Sequence, residues 1–388
     1  MSQTSFETQT QNSNRPKLNF NFNVQSYTLI IALVLIALIF GILTKGEFLS
    51  PRNLSNLFTQ MSVISVLAIG MTLVIVAGHI DLSVGSLAGL TGGIAAILQV
   101  WFGWDTFWVV LAAILVGALL GFWQGWWVAY RAVPAFIVTL GGMLIFRGIL
   151  IGVSQGKTVA PLQDSFKIIA NSFLPYSVGY IIAIIGIFLL FFSTWKKRSK
   201  RNQIGLQTAS AFIDYGKVTA YSVAIFVVSF MLNLYYGFPL PMVIVLVLGG
   251  LFIFISMKTS FGRYVYAIGG NQEAAALSGI NIKKNTLSVF VLMGALAGGA
   301  GVLLTSRLNA ATVSAGEMYE LDAIAACVIG GTSLMGGKGS IVGAIIGALI
   351  MASIDNGMSM MNIQTFWQFI VKGLILIFAV WIDISSKT

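Results

Sequence analysis

Twelve apolar stretches, each long enough to form a membrane-crossing helix, follow one another along the chain with only short polar segments between them. A bilayer core about 30 Å thick takes roughly 20 apolar helical residues, so twelve crossings need about 240 residues. In a chain of 388 residues this leaves room for connections but not for a second folded domain. The predicted spans cover residues 27–44, 55–78, 84–101, 106–130, 134–153, 178–194, 218–235, 240–257, 286–305, 318–335, 339–356 and 365–382.

The composition excludes a water-soluble fold. Hydrophobic residues make up 57% and charged residues 9% of the chain, whereas soluble domains carry about 25% charged residues. We therefore expect an all-α polytopic membrane protein with one transmembrane domain over residues 27–382. A polar tail over residues 1–26, rich in Gln, Asn, Ser and Thr, is expected to be disordered, and residues 383–388 form a second short tail.

The distribution of basic residues predicts the orientation. With the amino terminus inside, 15 of the 22 Lys and Arg residues fall on inner segments, and two lie within spans. The positive-inside rule then places both termini in the cytoplasm. The basic residues that give the chain its net charge of +10 lie mostly between spans, which argues against a nucleic-acid partner. The outer segments hold only Lys45, Arg52, Lys157, Lys167 and Arg307.

The number of complete crossings has an alternative of ten or eleven. Residues 55–83 and 318–335 each contain polar or glycine-rich positions, so either segment could be broken or re-entrant. The intramembrane charges Asp322, Asp355 and Lys372 are expected to make polar contacts within the bundle.

A glycine pattern repeats at an offset of 254 residues. The sequence VIVAGHIDLSVGSLAGLTGG, which begins at Val74, aligns with VIGGTSLMGGKGSIVGAIIGA, which begins at Val328. Glycine at every fourth position removes bulk from one helix face, so another backbone can approach closely in the membrane. This predicts an internal repeat and tight helix packing. The glycines concerned are Gly85, Gly89 and Gly93 in the first copy and Gly339, Gly343 and Gly347 in the second.

A polar break in the first copy carries an ionisable pair, His79 and Asp81. Polar groups at membrane depth are costly unless they face protein or water. Asp81 is expected to cap the helix that restarts after it. For His79, helix capping, interface placement and local hydrogen bonding are favoured over a proton relay.

The longest inner loop, residues 258–285, contains a stretch with helix-forming composition. Glu273, Ala274 and Ala275 begin this stretch, and Gly279 provides a stop signal. The short helix that results could lie on the bilayer surface or dock into a partner. No nucleotide site is apparent, because TSLMGGKG at residues 332–339 lacks the first Gly and the final Ser or Thr of a phosphate-binding loop.

These loop residues resemble the EAA motif of bacterial ABC importer permeases. The segments GHIDLSVGS, GRYVYAIGGNQEAAALSGIN and ELDAIAACVIGGTSLMGGKGS are similar to the ribose and pentose permeases of that class, and the similarity covers nearly the whole chain. Extra sequence around residues 178–240 resembles the xylose-transporting members. The resemblance implies that Glu273, Ala274, Ala275 and Gly279 contact an ATPase.

The resemblance also implies the assembly and the location. Its members work as two permease copies with two ATPase domains and an extracytoplasmic sugar-binding protein in the bacterial inner membrane. ATP and magnesium are then used by the ATPase subunit, and this chain is expected to bind no cofactor or metal and to have no catalytic residue. Loops 154–177 and 306–317 are the expected docking surfaces for the binding protein.

Two other functions remain open at this point. A proton-coupled sugar symporter would need titratable groups facing a central cavity, and a passive channel would need no ATP. The candidates for proton transfer are few and lie mostly near predicted span ends: His79, Asp81, Asp322, Asp355 and Lys372.

Overall fold

The computed structural model describes residues 24–203 and 211–385, and this part of the chain is almost entirely helical. Its fifteen α-helices are α1 (Val24–Leu43), α2 (Pro51–Val76), α3 (Val84–Val100), α4 (Thr106–Arg131), α5 (Ala135–Ser154), α6 (Asp164–Asn171), α7 (Tyr176–Gln203), α8 (Ala211–Asn233), α9 (Leu240–Lys258), α10 (Ser260–Gly270), α11 (Gln272–Leu277), α12 (Ile282–Leu308), α13 (Tyr319–Ile329), α14 (Ile341–Met360) and α15 (Thr365–Ser385). Two antiparallel strands of two residues each, β1 (Phe173–Leu174) and β2 (Phe238–Pro239), pair beside α6 and α9.

Nine of the described helices are long and apolar enough to cross a membrane. Two shorter apolar helices, Thr28–Leu43 and Val84–Val100, add to them. These eleven segments match eleven of the predicted spans. The expected amino-terminal tail lies outside the described residues up to residue 23, while residues 24–26 already belong to α1. At the other end, α15 continues to Ser385, and residues 386–388 lie outside the described part.

The remaining predicted span, residues 318–335, is not a single membrane-crossing helix. Instead of a span over 318–335, the chain forms α13, a helix of 11 residues. At 1.5 Å per residue this helix is about 16 Å long, roughly half of the hydrocarbon thickness. Residues 309–318 before it are irregular, and residues 330–340 after it form a turn-rich loop. The alternative of a broken segment at this place is therefore correct.

The bundle has two distinct ends. We call the end that carries α10 and α11 the basal end, and the end that carries α6 and the two strands the distal end. α2 runs towards the basal end, where the Val76 carbonyl oxygen accepts a hydrogen bond from the Gly337 amide at 2.9 Å. α14 runs back to the distal end, where Asn356 accepts a hydrogen bond from Asn53 at 2.9 Å. α3 runs in the same direction as α14, because Gln99 near its end accepts a hydrogen bond from the Gln163 amide, just before α6.

Helix α2 forms the centre of the bundle. In its most apolar 18-residue window, 89% of the residues are buried. A helix that is apolar all round is typical of a buried position, because every face can pack against protein. α2 packs against α12, α14, α13 and α9. By contrast, α15 buries none of its residues within this chain.

Close packing of α4 against α12 depends on glycine. A Cβ at Gly121 would lie 3.0 Å from Gly294 Cα, and one at Gly298 would lie 2.9 Å from Ile114 Cα. Such contacts leave no room for a side chain, so the two backbones approach one another directly. Small residues at a helix interface favour association in lipid, where dispersion contacts replace the hydrophobic effect.

Candidate functional site

Helices α10 and α11 are short, and their ends are fixed by local hydrogen bonds. The Thr259 side chain accepts from the Gly262 amide and starts α10, while the Asn271 side chain accepts from the Ala274 amide and starts α11. Gly279 ends α11 with a positive φ of 82°. Glycine adopts this conformation without the steric cost that a Cβ brings, which makes it a frequent helix terminator. The short helix predicted around Glu273 is therefore present, and α10 is an additional helix that the sequence reading did not identify.

The exposed face of α11 has a mixed character. Glu273 and Ala274 are exposed, whereas Ala275 is 4% exposed and packs against the bundle. Leu277 is 91% exposed, the highest value among the exposed large hydrophobic residues of the described chain. Leu277 and Glu273 therefore present one apolar and one acidic side chain to the surface, one helical turn apart. Leu277 is not among the residues for which the sequence predicts contact with a partner.

Helix α10 is seated against two other parts of the basal end. A Cβ at Gly269 would meet the Val76 carbonyl oxygen at the end of α2 and, at 2.7 Å, the Gly337 amide nitrogen. The Tyr266 hydroxyl donates to the Gly339 carbonyl oxygen at 2.9 Å, just before α14. A displacement of α10 therefore acts on α2 and on the loop between α13 and α14.

The predicted polar break lies between α2 and α3. Asp81 is 1% exposed, and its Oδ1 accepts from the Ser83 amide at 2.8 Å and from the Ser83 hydroxyl at 2.6 Å. The expected cap on the first turn of α3 is thus replaced by a turn onto Ser83, the residue that precedes the helix. The His79 ring lies 5.9 Å from the Phe290 ring, centroid to centroid, and is partly exposed.

Two further residues complete this break. The Gln124 amide of α4 donates to the Ser83 hydroxyl at 2.8 Å, and Gln124 is fully buried. The Thr139 hydroxyl of α5 donates to the Ile80 carbonyl oxygen at 3.4 Å. Buried polar groups need such partners, since an unpaired group in lipid costs several kcal/mol, on the order of a lost hydrogen bond or more. Neither Gln124 nor Thr139 was predicted to belong to the break. The sequence signal that could have identified them is a polar residue inside an otherwise apolar span.

The repeated glycines hold the two ends of α13. Gly85 and Gly89 face the Gly316 and Ala315 carbonyl oxygens, immediately before α13. A Cβ at Gly343 would lie 2.9 Å from the Gly330 carbonyl carbon, just after α13. Both sets of glycines therefore pack around the same short helix. Of the remaining three, Gly93 faces Leu150, Gly347 faces Ala326 of α13, and Gly339 faces both Thr332 and Val76.

An ionic cluster joins the last three helices. The Lys372 ammonium of α15 lies 2.9 Å from Asp322 Oδ2 of α13 and 2.8 Å from Asp355 Oδ2 of α14. Asp322 is fully buried and Asp355 is 8% exposed. The predicted contacts of these three residues within the bundle are present. Their charges are thus engaged with one another rather than arranged around a central cavity.

The irregular segment 309–318 depends on Arg147 of α5. Its guanidinium donates to the Val313 carbonyl oxygen at 2.6 Å and to the Ala315 carbonyl oxygen at 2.9 Å. Ala311 also pairs with Val159 through two backbone hydrogen bonds. Buried backbone groups outside regular helix need such donors and acceptors from neighbouring protein.

The distal end carries an open cavity of about 710 Å³. Asn171 in the predicted docking loop 154–177 and Arg307 in loop 306–317 both line this cavity. Most of the other lining residues are polar: Glu47, Ser50, Arg52, Asn53, Ser55, Asn56 and Thr59. Among the residues described, no cluster of three His, Cys, Asp or Glu side chains is placed to hold a metal ion.

Comparisons with known proteins identify relatives along nearly the full length. The family model described as branched-chain amino acid transport system / permease component matches residues 53–380. The chain is 50% identical over 365 residues to the xylose transport system permease protein XylH of Escherichia coli strain K12, covering 94% of this chain and 92% of that protein. XylH of Haemophilus influenzae is also 50% identical, with 94% and 97% covered.

A more distant relative is named for a different sugar. The ribose import permease protein RbsC of Escherichia coli strain K12 is 36% identical over 359 residues, which cover 92% of each chain. No solved structure matches the chain. The resemblance to ribose and pentose permeases predicted from the sequence is confirmed.

Proposed function

Because this chain belongs to the family of branched-chain amino acid transport system permease components, we propose that it is the permease of an ATP-driven importer whose cargo is D-xylose. The observation that carries the choice of sugar is the difference in identity, 50% to the xylose permeases and 36% to the ribose permease over similar lengths. Transport by alternating access requires conformational change and no covalent chemistry by this chain.

The proposed assembly follows from the family. Two copies of this chain form the membrane part, a separate ATPase binds ATP and magnesium, and an extracytoplasmic binding protein delivers the sugar. The basal end then faces the cytoplasm of a bacterial cell and the distal end faces outward. The position of Lys258, Arg263 and Lys284 on basal elements supports this orientation.

The α10–α11 unit is the proposed contact with the ATPase. Leu277 and Glu273 supply an exposed apolar and an acidic group, and Ala275 anchors α11 to the bundle. Movement of the ATPase shifts α10, which acts on α2 through Gly269 and on α14 through Tyr266. A ligand shifts an equilibrium only through contacts that differ between states, and this chain of contacts provides them.

The distal cavity lies between the two segments proposed to receive the binding protein, and Asn171 and Arg307 belong to these segments. Its polar lining suits a hydroxyl-rich solute that leaves the binding protein and enters the bundle.

Uptake measurements test the proposal. Vesicles that contain this chain, its ATPase and its binding protein should accumulate labelled D-xylose with ATP, with less uptake of D-ribose. Leu277→Ser and Gly279→Ala should each reduce ATP-dependent uptake severalfold, because one removes the contact and the other strains the positive φ that orients α11. The exposed Ser278→Ala is the matched control. Loss of uptake on addition of an uncoupler, with ATP still high, would instead favour a proton-coupled symporter.

A further inference from the structure

A long apolar groove runs along helix α12. Its main part is a cavity of about 460 Å³, with α12 and α2 as the floor and α4 and α9 as the walls. A second depression of about 330 Å³ shares Leu292 with it and continues towards the basal end past Val291 and Ser288. The lining of the main part is entirely apolar: Val66, Val110, Ile114, Ile169, Ile244, Leu248, Leu251, Phe252, Ile255, Leu292, Ala295, Leu296, Gly299, Val302 and Leu303.

The floor of the groove is open because two small residues lie on it. A Cβ added at Gly299 would meet no atom within 4 Å, unlike one at Gly298, which packs against α4. Ala295 lies one turn before Gly299 on the same face of α12. The groove is therefore a built feature of α12 rather than a gap between poorly fitting side chains.

The basal end of the groove carries two positive charges. Lys284 precedes Ser288 and Leu292 by one and two turns, so it continues the groove face of α12. Lys258 follows Ile255 by one turn on the groove face of α9. Both lysines are exposed, at the level where the apolar lining ends.

We infer that this groove binds one phospholipid with an anionic headgroup. An acyl chain lies on Ala295 and Gly299, and the phosphate lies beside Lys284 and Lys258. The apolar lining matches hydrocarbon, and a basic pocket at a helix end matches an anionic lipid headgroup. The volume of about 460 Å³ is in the range of small-ligand sites, roughly 300–1,000 Å³.

Native mass spectrometry of the purified permease in mild detergent tests this site with phosphatidylglycerol and phosphatidylcholine as probes. Gly299→Leu places a side chain in the groove, and its Cβ would meet no atom within 4 Å. Gly186→Leu on α7 is the matched control, because a Cβ at Gly186 also meets no atom within 4 Å and Gly186 lies outside the groove. The wild type and Gly186→Leu should retain one phosphatidylglycerol, and Gly299→Leu should retain about tenfold less.

A second variant separates the headgroup from the chain. Lys284→Gln combined with Lys258→Gln leaves the groove intact, so it should still bind lipid but should lose the preference for phosphatidylglycerol over phosphatidylcholine. Equal phosphatidylglycerol binding by Gly299→Leu and Gly186→Leu would overturn the inference, as would an absence of headgroup preference in the wild type. A change in subunit number caused by Gly299→Leu would also overturn it, because the groove would then be a protein interface.

Discussion

The bundle contains two interruptions of regular helix, one between α2 and α3 and one before α13, and they are stabilised in different ways. Between α2 and α3, Asp81 is satisfied by Ser83, two residues away, and Gln124 adds a neutral partner. Before and within α13, the backbone depends on Arg147 of α5, and Asp322 depends on Lys372 of α15. In the first break, the main partner of the buried carboxylate is a residue of the break itself. In the second, the partners are charged side chains of other helices.

This difference has a consequence for motion. A locally satisfied turn moves with the helices that flank it, so α2, the break and α3 behave as one unit. The segment that contains α13 is instead fixed by α5, α14 and α15, and a shift of any of these changes its contacts. Elements that rearrange in transport are expected among those held by few, separable interactions.

The largest expected effect comes from Lys372→Met. This change leaves Asp322 and Asp355 buried without their shared cation, and removing one partner of a buried ion pair costs about 3–5 kcal/mol. The thermal unfolding midpoint of the detergent-solubilised protein should fall by many degrees. The triple variant that also carries Asp322→Asn and Asp355→Asn should recover most of the loss. If the Lys372→Met variant were as stable as the wild type, Asp322 and Asp355 would not depend on Lys372, and the contrast between the two interruptions would be wrong.

Arg147→Met should have the next largest effect. It leaves two carbonyl oxygens, of Val313 and Ala315, without their donor, and a hydrogen bond to a charged group contributes about 1.5–3 kcal/mol. Hydrogen exchange should increase in residues 309–318 and remain unchanged in residues 77–83. Equal protection of both segments in the variant would show that the two interruptions are not independently held.

A smaller effect is expected for Gln124→Leu. The Ser83 hydroxyl keeps its bond to Asp81, so only the link to α4 is lost, at about 1 kcal/mol. The unfolding midpoint should fall less than in Arg147→Met, measured side by side. A larger fall would mean that the first break depends on its neighbours as strongly as the second does.

The smallest effect concerns the surface pair of Asp164 and Lys167 on α6, whose charged atoms are 2.6 Å apart. The Lys167 ammonium lowers the pKa of the Asp164 carboxyl, chiefly through their hydrogen bond. A lowered pKa in the folded state gives a stabilisation that is present at neutral pH and is lost as the pH falls through that pKa. Asp164→Asn should therefore have a barely lower unfolding midpoint than the wild type at pH 7, and the difference should vanish in acid. A pH-independent difference would assign the effect to something other than this pair.

The sequence was sufficient for features that depend on neighbouring residues. Eleven apolar stretches became helices near their predicted bounds, and the short helix of Glu273 and its glycine stop were present. The extra basal helix α10 was missed because its apolar run, residues 264–268, is only five residues long, and a run of that length does not distinguish a helix from a strand. A break within residues 318–335 was one of the alternatives. The sequence did not predict where the helix would end within this segment.

The sequence by itself determined that this chain is a many-helix membrane bundle with an exposed loop helix at one end, because hydrophobicity, helix signals and positive φ act over a few residues. Only the tertiary structure decided that α13 is half a span, that Lys372 serves both Asp322 and Asp355, and that α10 contacts the end of α2. These features depend on residues that are far apart in the chain. Which of them meet is set by how whole helices pack, and no local pattern encodes that arrangement.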